Sequence, residues 1–142
     1  MHINKILAKF REVYQRGELR IGPGESIDEM VVREEVSEGY GVYVISGFRN
    51  AEREILYIGK SGTVCQDGSM KRQGIRKRLT MKQDGMRRRT FFKKVIAEKN
   101  LNELHIEWFV TYPKIPPFLA ESELLAAYLT ESGKLPVLNK AA

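Results

Sequence analysis

The sequence has one cysteine, Cys65, and no apolar run long enough to cross a bilayer. A single cysteine cannot form an internal disulfide, which fits a reducing compartment. A membrane-spanning helix needs roughly 18 consecutive apolar residues. Near the amino terminus, Lys5, Lys9 and Arg11 interrupt the apolar positions, unlike a secretory signal. We therefore expect a cytoplasmic protein with no membrane partner.

The cysteine and the histidines form no cluster with the spacing of zinc ligands, so the sequence does not predict a zinc site. What remains is ordinary for a globular protein: 142 residues, 42% hydrophobic and 30% charged. This length predicts one domain with a core sufficient for independent folding.

The positive charge is concentrated in one part of the chain. The net charge is +6, and residues 71–99 hold twelve basic residues against two acidic ones. That stretch carries +10, which leaves −4 for the remainder. Such asymmetry favours a polyanionic partner such as nucleic acid. The alternative is a solvated helix face with no ligand.

Two short apolar segments, 40–45 and 55–58, predict the strands of an antiparallel hairpin joined by the polar residues 46–54. Tyr43 and Tyr57 would then project from neighbouring strands into shared space. Each phenol can donate and accept a hydrogen bond, so the pair is a candidate for chemistry.

The remaining patterns predict an α+β fold, a small antiparallel three-stranded sheet flanked by helices with an extra amino-terminal helix. Residues 1–38 are expected to form an N-terminal helical extension and residues 39–142 the main domain. The predicted helices are 2–16, about 74–82, about 89–99 and about 118–131, and the third strand is 104–110.

Two charged side chains are predicted to face the hairpin. On the helix that contains Ile75 and Leu79, Arg78 lies about 60° from Ile75 and so flanks the buried stripe. Glu121 lies in the middle of the inward face of the last helix, beside Leu125. An inward carboxylate is costly unless it is paired or binds a cation. An ion pair with Arg78 is the alternative to a metal.

The segments Gly41-Val42-Tyr43 and Tyr57-Ile58-Gly59 resemble the two signature motifs of the GIY-YIG nuclease family, with valine replacing isoleucine in the first. Three further positions match the family's pattern in order: Arg78, Glu121 and Asn139. The resemblance covers about residues 39–142. One position departs from it, because Lys82 stands where many members have histidine or tyrosine.

This resemblance implies a metal-dependent endonuclease that hydrolyses phosphodiester bonds in DNA. The implied catalytic residues are Tyr43, Tyr57, Arg78 and Glu121, with Glu121 as the ligand of Mg²⁺ (or Mn²⁺). Tyr43 is the candidate general base and Tyr57 positions water or phosphate. Gly41, Gly59 and Asn139 are expected to be structural. The expected nucleic-acid contacts are Lys60, Arg76, Lys77, Lys82, Arg87, Arg88 and Arg89.

Two other functions remain open at this point. One is a catalytically weak nucleic-acid-binding module with the same fold. The other is an interaction module that forms a homodimer or recruits a larger partner through the amino-terminal helix. The sequence does not choose between DNA and RNA.

Overall fold

The computed structural model describes residues 2–142, which form an α+β fold with helices on both faces of one antiparallel sheet. No helix among these residues is long and apolar enough to cross a membrane. The elements in chain order are α1 (His2–Val13), β1 (Gln15–Ile21), α2 (Ile27–Arg33), β2 (Gly41–Arg49), β3 (Glu52–Lys60), β4 (Thr63–Val64), β5 (Met70–Lys71), α3 (Ile75–Leu79), β6 (Lys82–Gln83), β7 (Met86–Arg87), α4 (Arg88–Glu98), β8 (Glu103–Val110) and α5 (Pro117–Ser132).

The main sheet has four strands in the order β1-β8-β2-β3, so the prediction of three strands is wrong by one. The additional strand is β1, in a region where the sequence pattern predicted the end of a helix at Gly17. Gly17 instead lies opposite Trp108 in the ladder, where an added Cβ would collide with the indole ring. Leu19 and Ile21 face the core on alternate positions, as a half-buried strand requires.

The hairpin of β2 and β3 is longer than its apolar segments indicated. Most of the polar residues 46–54 belong to the strands, and only Asn50 and Ala51 form the turn. Asn50 has φ 56°, a left-handed conformation that asparagine tolerates better than most residues. The register shifts between Ile45 and Ser46, which marks a bulge.

Each face of the sheet supports its own hydrophobic core. On one face, Tyr43, Ile106 and Trp108 pack with residues of α2, α3 and α4. On the other, Val44 and Phe109 pack with residues of α1 and α5. The tyrosine pair therefore projects to the side of α3 and α4, which both belong to the basic stretch 71–99.

Residues 2–38 contribute to both cores rather than to one surface. The buried residues of α1, namely Ile3, Leu7 and Phe10, join the core beneath α5. Strand β1 extends the sheet at one edge. Helix α2 packs on the face of the sheet opposite to α1, in the core that contains Tyr43. The apolar face of α1 is thus used within the fold.

The region between the hairpin and α4 is less helical than the sequence pattern indicated. Helix α3 ends at Leu79, whereas the prediction continued to residue 82. Asp84 and Gly85 form the turn of a small hairpin, β6–β7, because both adopt positive φ angles. A second small hairpin, β4–β5, lies within residues 61–73, where the sequence pattern predicted neither helix nor strand. Of these short elements, β4 and α3 contribute Thr63 and Arg78 to a cavity beside β3.

Candidate active site

The two tyrosines lie close together because a glycine separates them. Tyr43 is directly opposite Gly59 in the ladder, and Tyr57 lies two residues before Gly59 on the same strand. The ring centroids are 6.1 Å apart with an interplanar angle of 31°. A Cβ at Gly59 would lie 2.6 Å from both rings, so no larger residue fits there without displacing them.

Tyr43 lies beneath the surface, and Arg88 is its partner. The Tyr43 side chain is fully buried, and its hydroxyl accepts a hydrogen bond from Nη2 of Arg88 at 3.1 Å. The Arg88 guanidinium lies 5.4 Å from the centroid of Tyr43 and 5.5 Å from that of Tyr57. Arg88 is only 1% exposed, because its guanidinium packs against these aromatic rings beneath the surface. Its expected contact with nucleic acid stays a prediction.

Tyr57, Lys60, Arg78 and Glu121 line one cavity of about 340 Å³, which is the candidate active site and is called the active cavity below. Strand β3 supplies Tyr57 and Lys60, α3 supplies Arg78, and the first turns of α5 supply Glu121. Tyr43 does not line the cavity. The remaining lining residues are Gly62, Thr63, Arg72, Gln73 and Met81.

Burial and neighbouring charges act in opposite directions on the two titratable groups of this cavity. Burial raises the pKa of Glu121, and the positive charges of Lys60 and Arg78 oppose that rise only in part. Burial also raises the pKa of the Tyr57 phenol, with a contribution from Tyr43, against the lowering effect of Arg88 and Arg78. Tyr57 is therefore a protonated hydroxyl, and hence a hydrogen-bond donor, at neutral pH.

The chemistry of the donor set fits a single divalent cation held largely by its substrate. Lys60 and Arg78 act on Glu121 through charge alone, and within residues 2–142 neither forms an ion pair with it. The carboxylate thus keeps its coordinating oxygens. Those same residues contain no group of three or more His, Cys, Asp or Glu side chains that could hold a metal. One carboxylate, water molecules and a substrate phosphate are a normal environment for Mg²⁺.

Gly41, Gly59 and Asn139, the three residues expected to be structural, lie in close contact with neighbouring strands or rings. Asn139 is bound to Ile58 at both amide atoms: Oδ1 accepts from the Ile58 N–H, and Nδ2 donates to the Ile58 carbonyl, each at 2.9 Å. These bonds cover the outer edge of β3. Gly41 lies so near β8 that an added Cβ would collide with the carbonyl oxygen of Phe109. Gly59 separates the tyrosine rings.

The other predicted nucleic-acid contacts divide between separate surfaces. Lys60 belongs to the active cavity. A different cavity, of about 650 Å³ between α2 and α3, is lined by Arg76, Lys77, Lys82 and Arg87 together with the acidic Asp28 and Glu38. Nε of Arg76 donates to the Val36 carbonyl at 2.7 Å, and Arg89 lies 3.7 Å from Asp28. Arg76 and Arg89 therefore already have protein partners.

Two features of the site were missed at the level of sequence. Arg72 and Gln73 line the active cavity from the segment between β5 and α3, and Arg72 had counted only toward the basic stretch. The burial of Arg88 had a local signal, because Phe92 and Val95 lie four and seven residues after it on the same face of α4. That spacing marks position 88 as inward.

No protein-family model matches the chain, and it matches no curated protein and no solved structure. Function is therefore inferred from the geometry of the cavity and from the resemblance of the two tyrosine segments.

Proposed function

We propose that the protein is a metal-dependent endonuclease of the GIY-YIG type that hydrolyses phosphodiester bonds in DNA. One observation carries this proposal: a hydroxyl, a guanidinium, an ammonium and a carboxylate from three separate elements line one cavity of about 340 Å³, which has room for a phosphate group. Tyr57 and Glu121 are far apart in sequence, so their meeting depends on the whole fold. Their residue types match those that the family resemblance assigns to the same positions.

Each side chain has a distinct task in the proposed reaction. Arg78 remains charged and can hold the scissile phosphate with two parallel hydrogen bonds, stabilising charge as it develops on phosphorus. Lys60 adds positive charge at the same cavity. Tyr57 donates a hydrogen bond that orients the phosphate or the attacking water. Glu121 would hold Mg²⁺ or Mn²⁺, which supplies Lewis acidity and a more acidic water.

We assign Tyr43 a positioning role rather than the role of general base that the sequence suggested. Its hydroxyl is buried and already accepts a hydrogen bond from Arg88, so it has no path to the water that attacks phosphorus. Its ring supports Tyr57 from below, and its hydroxyl fixes the orientation of the guanidinium.

A plasmid assay tests this proposal. Purified protein with Mg²⁺ or Mn²⁺ should nick or cut supercoiled DNA, and EDTA should abolish the activity. Glu121→Ala and Arg78→Ala should each lower the cleavage rate by about 100-fold or more, because each removes a group that stabilises the transition state. Arg20→Ala is the matched control, since Arg20 pairs with Glu103 at the far edge of the sheet. If both site variants cut as fast as the control, the assignment fails.

The uneven charge favours a second candidate, a nucleic-acid-binding module with weak catalysis. The basic stretch 71–99 supplies sequence-independent attraction to a phosphate backbone whether or not hydrolysis follows. Binding that persists in EDTA, with no cleavage in either metal, would favour this candidate. Parallel assays on DNA and RNA would identify the substrate.

A further inference from the structure

We propose that a second cavity, adjacent to the active site, binds a backbone phosphate next to the scissile one. The inference rests on the proposed function and adds to it how the strand lies. The cavity has a volume of about 330 Å³. Its lining includes Tyr57, Arg78, Lys82, Gln83, Arg88 and Lys140.

The buried guanidinium of Arg88 is the first reason to expect an anion there. Nη2 is bound to Tyr43, but Nε and Nη1 have no hydrogen-bond partner within residues 2–142. No carboxylate among those residues forms an ion pair with Arg88. The aromatic faces around it offset a small part of the cost of burying a charge. A buried cation without a counter-charge is costly, and an anion in the adjoining cavity would supply that charge.

The other residues that line this cavity also favour an anion. Arg78, Lys82, Arg88 and Lys140 are cationic, and Asp84 is the single acidic residue of this cavity. Asp84 is already 3.2 Å from Lys140, so the other three cations carry a net charge of +3. The Gln83 side-chain oxygen is also buried without a partner. A flip of that amide would present its NH₂ group as another donor.

The position of the cavity indicates which phosphate it takes. Tyr57 and Arg78 line both cavities, so they form the wall between them. A strand that places its scissile phosphate beside Arg78 and Glu121 would pass this wall and place a neighbouring phosphate over Arg88. Arg78 would then lie between two successive phosphates. Binding the scissile phosphate together with one neighbouring phosphate fixes the direction of the strand across the site.

The arginine side-chain Nε–H signals provide a direct test by NMR spectroscopy. The test uses Glu121→Gln protein in metal-free buffer, so that no cleavage occurs. Two probes are titrated in separate arms: inorganic phosphate, and a tetrathymidylate without terminal phosphates. The tetranucleotide should shift the signals of both Arg78 and Arg88 saturably, at concentrations at least about tenfold below those that inorganic phosphate requires. An unmoved Arg88 signal at saturation overturns the proposal. So does a shift with inorganic phosphate alone, which would mean a free-anion site.

Variants separate this site from the active cavity. Lys82→Met should weaken tetranucleotide binding about fivefold, which corresponds to roughly 1 kcal/mol. Lys134→Met is the control, because Lys134 is exposed and lines neither cavity; it should bind as the parent does. Equal affinities of the two variants would count against the site. Because Lys82 is exposed, its replacement leaves the core intact, whereas Arg88→Met removes a buried side chain and tests folding as well.

The two proposals can fail independently. Plasmid cleavage together with an unmoved Arg88 signal would refute the phosphate site and leave the nuclease assignment standing. A shifted Arg88 signal without metal-dependent cleavage would support the phosphate site and favour the binding module.

Discussion

Tyr43 lies directly across the β2–β3 ladder from Gly59, and the missing side chain at Gly59 allows the Tyr43 and Tyr57 rings to meet. The glycine of the segment Tyr57-Ile58-Gly59 therefore sets the spacing of the two tyrosines. A methyl group at this position would occupy the space between the rings, and both are held by the surrounding core.

Gly59→Ala should accordingly lower the free energy of unfolding by about 1–3 kcal/mol, the usual cost of overpacking a core. The expected readout is a lower denaturation midpoint in urea with an altered tyrosine signal in near-ultraviolet circular dichroism. Gly22→Ala is the matched control, because its added methyl would meet only the flexible end of Glu25. Similar stability for the two variants would show that the rings can separate without cost.

Loss of the Tyr57 hydroxyl should lower the cleavage rate, whereas loss of the Tyr43 hydroxyl should lower stability. Tyr57→Phe should lower the maximum cleavage rate by about 100-fold and leave stability nearly unchanged, because its hydroxyl serves the cavity. Tyr43→Phe should instead cost about 1–3 kcal/mol of stability, because it leaves the buried Arg88 with another unpaired N–H group. The family resemblance, which makes Tyr43 the candidate general base, implies the opposite ranking for the rates.

Single-turnover cleavage rates and urea denaturation, measured on both variants, separate the two effects. A Tyr43→Phe protein that is fully stable but inactive would restore Tyr43 as a direct participant. Unchanged rates in both variants would remove the phenols from the reaction altogether.

A buried carboxylate on the opposite face of the sheet should make stability depend on pH. Glu107 accepts hydrogen bonds from Arg11 at 2.7 and 2.9 Å, and from Arg16 at 2.8 and 3.2 Å. Burial raises the pKa of Glu107, but the hydrogen bonds and charges of Arg11 and Arg16 outweigh it and hold that pKa below its ordinary value of 4.5. The stabilisation is therefore full above pH 4.5 and is lost as the pH falls through the lowered pKa.

Glu107→Gln should cost about 1.5–3 kcal/mol at pH 7, the range for hydrogen bonds to a charged group. The difference from the parent protein should shrink as the pH falls below about 4.5, which urea denaturation across pH 3–7 would measure. Glu103→Gln is the control, since its pair with Arg20 is exposed and should be worth about 0–1 kcal/mol. A pH-independent difference would contradict the role of the charge.

Helical periodicity predicted that Arg78 and Glu121 face inward, but not how deep each side chain of the site lies. The inward positions of Arg78 and Glu121 follow from helical spacing alone, and the cavity contains both. Strand β1 was missed because its partner β8 lies far along the chain. A local sequence pattern does not indicate pairing between such distant strands. The amphipathic pattern of α1 also runs on into Tyr14, which hides the helix end.

Arg88 shows that a count of charged residues does not reveal which of them are buried. A count of basic residues treats every arginine as exposed, and position 88 is flanked by two that are, Arg87 and Arg89. The burial of Arg88 depends on two aromatic rings from a hairpin some 30 to 45 residues earlier in the chain. Only the assembled fold brings those rings and that guanidinium together.

The last prediction concerns the edge of the sheet beside the active cavity. Strand β3 is an edge strand, and Asn139 together with the bond from the Leu138 N–H to the Leu56 carbonyl covers it. Asn139→Ala removes both side-chain bonds and should cost about 1–3 kcal/mol, because it leaves the Ile58 backbone groups unpaired. Asn139→Asp keeps an acceptor for the Ile58 N–H but places a charge against its carbonyl, so it should not restore the stability.

Hydrogen exchange at the Ile58 amide reports this directly, and its protection should fall in both variants. Val137→Ala is the matched control, because Val137 is in the same segment and its side chain is exposed. An exposed edge strand also invites pairing with another chain, so the Asn139 variants should aggregate at lower concentration than the control. Unchanged Ile58 protection in Asn139→Ala would mean that the backbone bond at Leu138 is sufficient to hold the segment in place.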